Sequence, residues 1–103
     1  MYELVYLPAA KNDIVGIARY IKNELCNVNA AERITVEIVE ASETLRVYPY
    51  MYPVHIPIRP LKYEYRKKPA GNFLIMYYVD EVEQTVVISR VIYARRNISS
   101  KIK

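Results

Sequence analysis

Apolar residues recur with two different periods along this 103-residue chain, and the change of period separates a helical N-terminal half from a strand-rich C-terminal half. Residues 2–7, YELVYL, are rich in β-favouring types and stop at Pro8, which predicts a short first strand. From Pro8, a residue suited to a helix's first turn, Ile14, Ile17, Ala18, Ile21 and Leu25 recur at spacings of three and four and so share one helical face. Asn23, Asn27, Val28 and Asn29 mark a break. Asn29 with Glu32 has the form of a capping box that opens a second helix, with the stripe Ala31, Ile34, Ile38, Ala41 and Leu45. Two helices joined by a short turn form a hairpin whose stripes need a third surface to cover.

Residues 47–60, VYPYMYPVHIPIRP, hold prolines at 49, 53, 57 and 60, which rules out a helix or central strand and predicts a long, stiff connection. Three strands are expected after it: Leu61 to about Lys67, Asn72 to Val79, and Thr85 to Tyr93. The turns KPAG and DEVEQ are of hairpin length, so these strands form an antiparallel meander. The fold class is α+β, ordered β-α-α-β-β-β, with the first strand returning to an antiparallel sheet covered on one face by the helical hairpin. Residues 1–103 read as a single domain, without internal repeat or linker.

Composition narrows the picture in three ways. The chain is 52% apolar and 25% charged, far from the signature of disorder. No apolar run approaches the roughly 20 residues that span a bilayer. The single cysteine, Cys26, cannot form an intrachain disulfide, and no basic segment followed by a long apolar run opens the sequence, so a cytoplasmic site is expected. The formal charge of +4 is unevenly placed: residues 1–58 hold five Lys/Arg against seven Asp/Glu, and residues 59–103 hold ten against four. A basic half of this kind attracts phosphate or acidic peptide alike.

Charged residues inside strands indicate which way the faces point. On the last strand Val87, Ser89 and Val91 alternate with Ile88, Arg90 and Ile92, and a serine is tolerated in a core more cheaply than an arginine, so Arg90 is expected to point outward. Lys62, Glu64 and Arg66 should likewise point away from the face of Leu61, Tyr63 and Tyr65. The result is a basic, partly aromatic open face with Arg95 and Arg96 just beyond its edge.

The element order, the stretch GNFLIMYYVDEVEQTVVISRVIYARRNI and the helix exit LRVYPYMYP together resemble the RelE/ParE superfamily, the toxins of type II toxin–antitoxin pairs, often called plasmid stabilisation proteins. In that stretch a G-N-[FY]-L-I strand runs through a D-E turn into a T-V strand that ends R-R-[ND]. The resemblance covers residues 2–98 and is strongest from Gly71 to Ile98.

What it implies depends on the branch. The RelE-type branch cuts mRNA in the ribosome: the 2′-hydroxyl attacks the adjacent phosphate while an acid and a base move protons and cations stabilise the transition state. Arg66 and Lys68 match that branch's basic second strand, and Arg95 or Arg96 matches its arginine after the fourth strand. Phe73 stands where its third-strand arginine would be, and the tail NISSKIK has no Tyr or His, leaving Tyr93 as the nearest phenol. The ParE-type branch, associated with inhibition of DNA gyrase and without a recognised catalytic constellation, is matched better, although Ala94 stands where close relatives often have glycine.

The resemblance therefore implies a ParE-like growth-inhibiting toxin acting on DNA gyrase. The alternatives are a RelE-type endoribonuclease with Arg66, Lys68, Tyr93, Arg95 and Arg96 as its candidate catalytic residues, and a non-toxic antitoxin-binding module. Arg66, Lys68, Arg90, Arg95 and Arg96 are the candidates for contacting target or antitoxin, with Arg able to fork onto phosphate or carboxylate. The implied partner is a cognate antitoxin with an acidic, partly disordered segment that folds as it binds. No cofactor, metal or membrane is implied.

Other features have plainer readings. His55 has no second His or carboxylate beside it in the proline-rich segment, which makes it neither a metal ligand nor a triad member. Cys26 reads as packing. Most of the eleven tyrosines read as amphipathic rings lining a small core, although Tyr48, Tyr50, Tyr52, Tyr63 and Tyr65 cluster near the proline-rich segment, where aromatic faces also serve interfaces.

Overall fold

The computed structural model of the chain describes residues 1–94. Strand β1 (Glu3–Tyr6) leads through Leu7 into helix α1 (Pro8–Asn23), where Pro8 takes the first helical position and needs no hydrogen-bond acceptor. Helix α2 spans Val28–Glu43 and is followed by a single 3-10 turn, Thr44–Arg46. The cap of α2 is Asn27 rather than Asn29: the Asn27 side chain accepts from the Ala30 N–H at 3.0 Å, because the helix begins two residues earlier than the Asn29–Glu32 spacing suggested. Cys26, in the turn between the helices, is exposed and has a positive φ of 49°. Leu25 lies past the end of α1 and is 58% exposed, so the first stripe ends at Ile21.

The sheet is completed by β2 (Arg66–Ala70), β3 (Phe73–Asp80) and β4 (Thr85–Tyr93), in the order β1-β4-β3-β2. The β-α-α-β-β-β order stands as read. The sheet is mixed, however, because β1 returns beside β4 in parallel, Leu4 opposite Val86 and Tyr6 opposite Ile88. Helix α1 packs on β4 and α2 reaches β2 and β3. Between the layers lie Ala10, Ile38, Leu45, Ile75, Tyr77, Val86 and Ile88, all fully buried. Each large apolar side chain among them contributes about 1.5–3 kcal/mol by leaving water.

Three local departures from simple alternation matter for the site. Met76 pairs with Arg90 while Tyr77 pairs with Ile88, so Ser89 is an extra residue in a β-bulge. The helix-facing set on β4 is consequently Val86, Ile88 and Val91 rather than Val87, Ser89 and Val91. Ser89 stays buried because its hydroxyl donates to the Met76 carbonyl at 3.1 Å.

The expected strand from Leu61 begins only at Arg66, and the expected KPAG turn shortens to Gly71–Asn72. Between Leu61 and Tyr65 the chain leaves the sheet edge, and Tyr63 stacks on Tyr78 with ring centroids 4.0 Å apart while Tyr65 meets Tyr78 edge-on at 5.6 Å. These rings cover part of the sheet face that the alternation left open. Pro69 is tolerated in β2 because this is an edge strand: the Lys67 N–H, two residues earlier, already points outward to the Pro53 carbonyl at 3.1 Å. Gly71 is required in the turn by its φ of +58°, and a Cβ there would collide with the Glu37 carboxylate.

Candidate functional site

Direct cross-strand partners share a sheet face, so Arg66 and Lys68, opposite Tyr77 and Ile75, lie on the helix side of β2. Neither projects freely. The proline-rich connection folds back over them, and the Arg66 guanidinium donates to the Tyr52 carbonyl at 2.8 Å, approaches Glu64 at 3.4 Å and lies 5.0 Å from the centre of the Tyr50 ring. Lys68 donates to the Tyr52 hydroxyl at 2.5 Å. Lys67 takes the opposite face, as the period of two requires.

The same connection is tied down at several other points. The buried Tyr77 hydroxyl donates to the Pro49 carbonyl at 2.7 Å, and burial pushes its ionisation up to about 12. Tyr50 donates to Glu81 at 2.6 Å and Tyr2 donates to the same carboxylate at 2.8 Å, which links the connection, the β3–β4 turn and the start of β1. Hydrogen bonds from Tyr50 and Tyr2 hold Glu81 below the usual carboxylate range. Desolvation, reinforced by Glu81, raises the Tyr50 phenol well above its usual range. This end of the sheet is a network of phenols and cations bonded to one another and to the backbone of the connection.

At the other end, β1 stops at Tyr6 and the edge of β4 continues without a neighbouring strand. Asp13 of α1 fills that place. Its carboxylate accepts from the Val91 N–H at 2.9 Å, as a neighbouring strand's carbonyl would, and from Arg90 Nε and Nη2 at 2.7 and 3.0 Å. The bidentate pair raises the Arg90 pKa further. Arg90 is exposed, as expected, yet its charge is matched by Asp13, which is only 17% exposed. Beside the pair runs an apolar groove of about 970 Å³, with Ile17, Tyr20 and Leu25 on its helical side and Phe73 and Tyr93 on its sheet side.

The sequence candidates therefore separate. Arg66 and Lys68 stand on the edge strand, while Arg90 and Tyr93 stand on β4, two strand spacings or about 9–10 Å away across β3. Tyr93 is 37% exposed and packs edge-on against Phe73 at 5.4 Å. Arg95 and Arg96 lie outside the described residues. Asp13, Tyr2, Tyr50, Tyr52 and Glu81 complete the two sites without having been candidates. The tyrosine cluster was visible in composition, but nothing in the sequence tied Asp13 to a residue 77 positions away. Among the described residues no group of His, Cys, Asp and Glu is arranged to hold a metal ion, and no helix is long and apolar enough to cross a membrane.

Residues 4–98 match the ParE toxin family of type II toxin–antitoxin systems, parDE. No curated protein matches the sequence. Solved structures with the same fold include a chain of the chromosomal ParDE toxin–antitoxin system from P. aeruginosa, 18% identical with a TM-score of 0.73 over 90% of this chain and 96% of that one. A chain of the RelBE2 toxin–antitoxin complex from Mycobacterium tuberculosis is 22% identical, with a TM-score of 0.64 over 89% and 96%. The isolated E. coli RelE toxin is 15% identical, with a TM-score of 0.54 over 99% and 94%.

Proposed function

Because the chain belongs to the ParE toxin family of type II toxin–antitoxin systems, we propose that it inhibits growth in the cytoplasm by binding a protein target, DNA gyrase on the ParE-type resemblance, and that it does not cut RNA. The observation that carries this reading is the state of its cations. Arg66 is held by the Tyr52 carbonyl and Glu64, Lys68 by the Tyr52 hydroxyl, and Arg90 by Asp13. A phosphoryl-transfer centre needs several cations converging on one phosphate with unused donors. Here the described cations are spread over two sites, Arg66 and Arg90 are ion-paired within the chain and Lys68 has one donor on the Tyr52 hydroxyl, and Phe73 occupies the position where the RelE-type pattern has an arginine.

The partner that restrains the toxin is a cognate antitoxin, in keeping with solved relatives that are toxin–antitoxin complexes. The basic C-terminal half favours an acidic segment, and the concave groove beside Tyr20, Phe73 and Tyr93 suits the apolar side of a segment that folds as it binds. The test is a supercoiling assay with purified DNA gyrase and the purified chain. Inhibition relieved by the antitoxin supports the reading, whereas gyrase running at full rate beside a chain that still arrests growth removes gyrase as the target.

A further inference from the structure

We propose that the tip of the proline-rich connection, Ile56 and Ile58, is the surface with which this toxin grips its target, a folded protein presenting an apolar pocket rimmed by acidic groups. The inference rests on the toxin reading above and assigns the contact surface within it. Ile56 and Ile58 are 86% and 75% exposed, values that place them on a convex projection rather than the floor of a groove. They stand on either side of Pro57, where the connection bends at residues 58 and 59. A β-branched aliphatic pair held out in water has no role in the core, and single exposed apolar residues are ordinary where a stiffly presented pair is not.

The presentation is rigid. Pro57 stands between the two isoleucines, with Pro53 before them and Pro60 after them. Behind the tip the chain is fastened by the Val54–Arg66 bridge, by the His55 N–H donating to the Tyr65 carbonyl at 2.7 Å, and by Tyr77 on Pro49. The ordering cost of an apolar contact has thus been met during folding, which favours tight docking.

The partner's character follows from shape and charge. A convex, preorganised pair fits a pocket already formed in a folded protein, whereas a segment that folds on binding needs a groove or a sheet edge to fold against, which the far end of the sheet offers. From Thr44 to Tyr63 there is no Asp or Glu, and Arg59 and Lys62 follow the tip without a salt bridge among the described residues. Their complement is an acidic rim, which steers association and suppresses wrong partners.

The experiment compares induced wild-type chain with Ile56→Ser/Ile58→Ser and, separately, Arg59→Glu/Lys62→Glu, alongside thermal melting and binding of the cognate antitoxin by each purified protein. The serine variant is expected to lose growth arrest at expression levels where wild type arrests, corresponding to roughly 30-fold weaker target binding. It should keep wild-type melting and antitoxin affinity, and the charge-reversal variant should show a smaller loss in the same direction. Full arrest by both variants at wild-type protein levels overturns the proposal, as does loss of antitoxin binding, which would make the tip an antitoxin contact. Should the serine variant fail to fold, the charge-reversal variant decides alone. A harmless wild-type chain would instead defeat the toxin reading, and that outcome appears in the wild-type arm.

Discussion

The two ends of the sheet solve the same problem, an exposed strand edge, with opposite chemistry. At the β2 end the edge is covered by the chain's own proline-rich connection, held by Tyr50, Tyr52, Tyr77 and Glu81. At the β4 end a single carboxylate, Asp13, substitutes for the missing strand and leaves an apolar groove beside it. Edges that could recruit another chain are blunted in either way. The difference is that the first end has converted its polar groups into internal structure, while the second has converted one and left its apolar surface available. Arg66 and Lys68, two of the candidates for contacting target or antitoxin, belong to the first end.

This contrast can be broken by mutation. The largest expected effect is at Tyr77, the largest fully buried side chain, which carries both core volume and the bond to Pro49. Tyr77→Ala should cost about 3–5 kcal/mol in urea unfolding, whereas Tyr77→Phe should cost only about 1–3 kcal/mol because it strands the Pro49 carbonyl without emptying the core. An equal loss in Tyr77→Phe and Tyr77→Ala would mean that the hydroxyl, and not the ring, fixes the connection.

At the other end, Asp13→Ala leaves the Val91 N–H and the Arg90 guanidinium without their acceptor. A cost of about 1–3 kcal/mol is expected, with faster hydrogen exchange at Val91 while the amides of β3 keep their protection. Equal acceleration along β3 would show that the two ends are one cooperative unit.

The next effect is a pH dependence confined to the phenolic end. Tyr77, raised to about 12, favours the folded state only while it is protonated. Its contribution is intact below the ordinary tyrosine value of about 10 and is lost as pH rises from there towards about 12. For Glu81, whose folded value is depressed, the sign is reversed: its contribution is present above the usual carboxylate range and fades as pH falls through its folded value. Tyrosinate absorbance should therefore show a late-titrating phenol, and Glu81→Gln should abolish the acid-side loss while leaving the late phenol in place.

How much of this was legible beforehand follows from the range of each interaction. The helical stripes through Ile21 and Ile38 and the bounds of the last strand, Thr85–Tyr93, come from local periods and survive in the fold. The parallel return of β1, the bulge at Ser89 and the Asp13–Arg90 pair depend on which distant segments meet, and no local pattern encodes that. The strand expected from Leu61 failed for an instructive reason. Tyr63 and Tyr65 alternate correctly for an edge strand, but stacking over Tyr78 gives their rings more contact than an edge can. Arg66 is on the second strand as expected, whereas Lys68, read as the start of the KPAG turn, is a strand residue too, and both face the helix side instead of the open face because the connection's path brings Tyr50 and Tyr52 to them.

The smallest expected effect is also the most pointed. Arg66→Ala with Lys68→Ala, compared at equal levels of folded protein, should leave growth arrest largely in place, because both cations brace the connection from behind while its ties from His55 to Tyr65 and from Tyr77 to Pro49 remain. The most direct test of that claim is to map the 5′ ends of translated mRNA shortly after the wild-type chain is induced. The account predicts arrested growth with message ends indistinguishable from those of uninduced cells. New ends within translated codons that appear with wild type and vanish with Arg66→Ala/Lys68→Ala would contradict it and place a nuclease at the edge of β2.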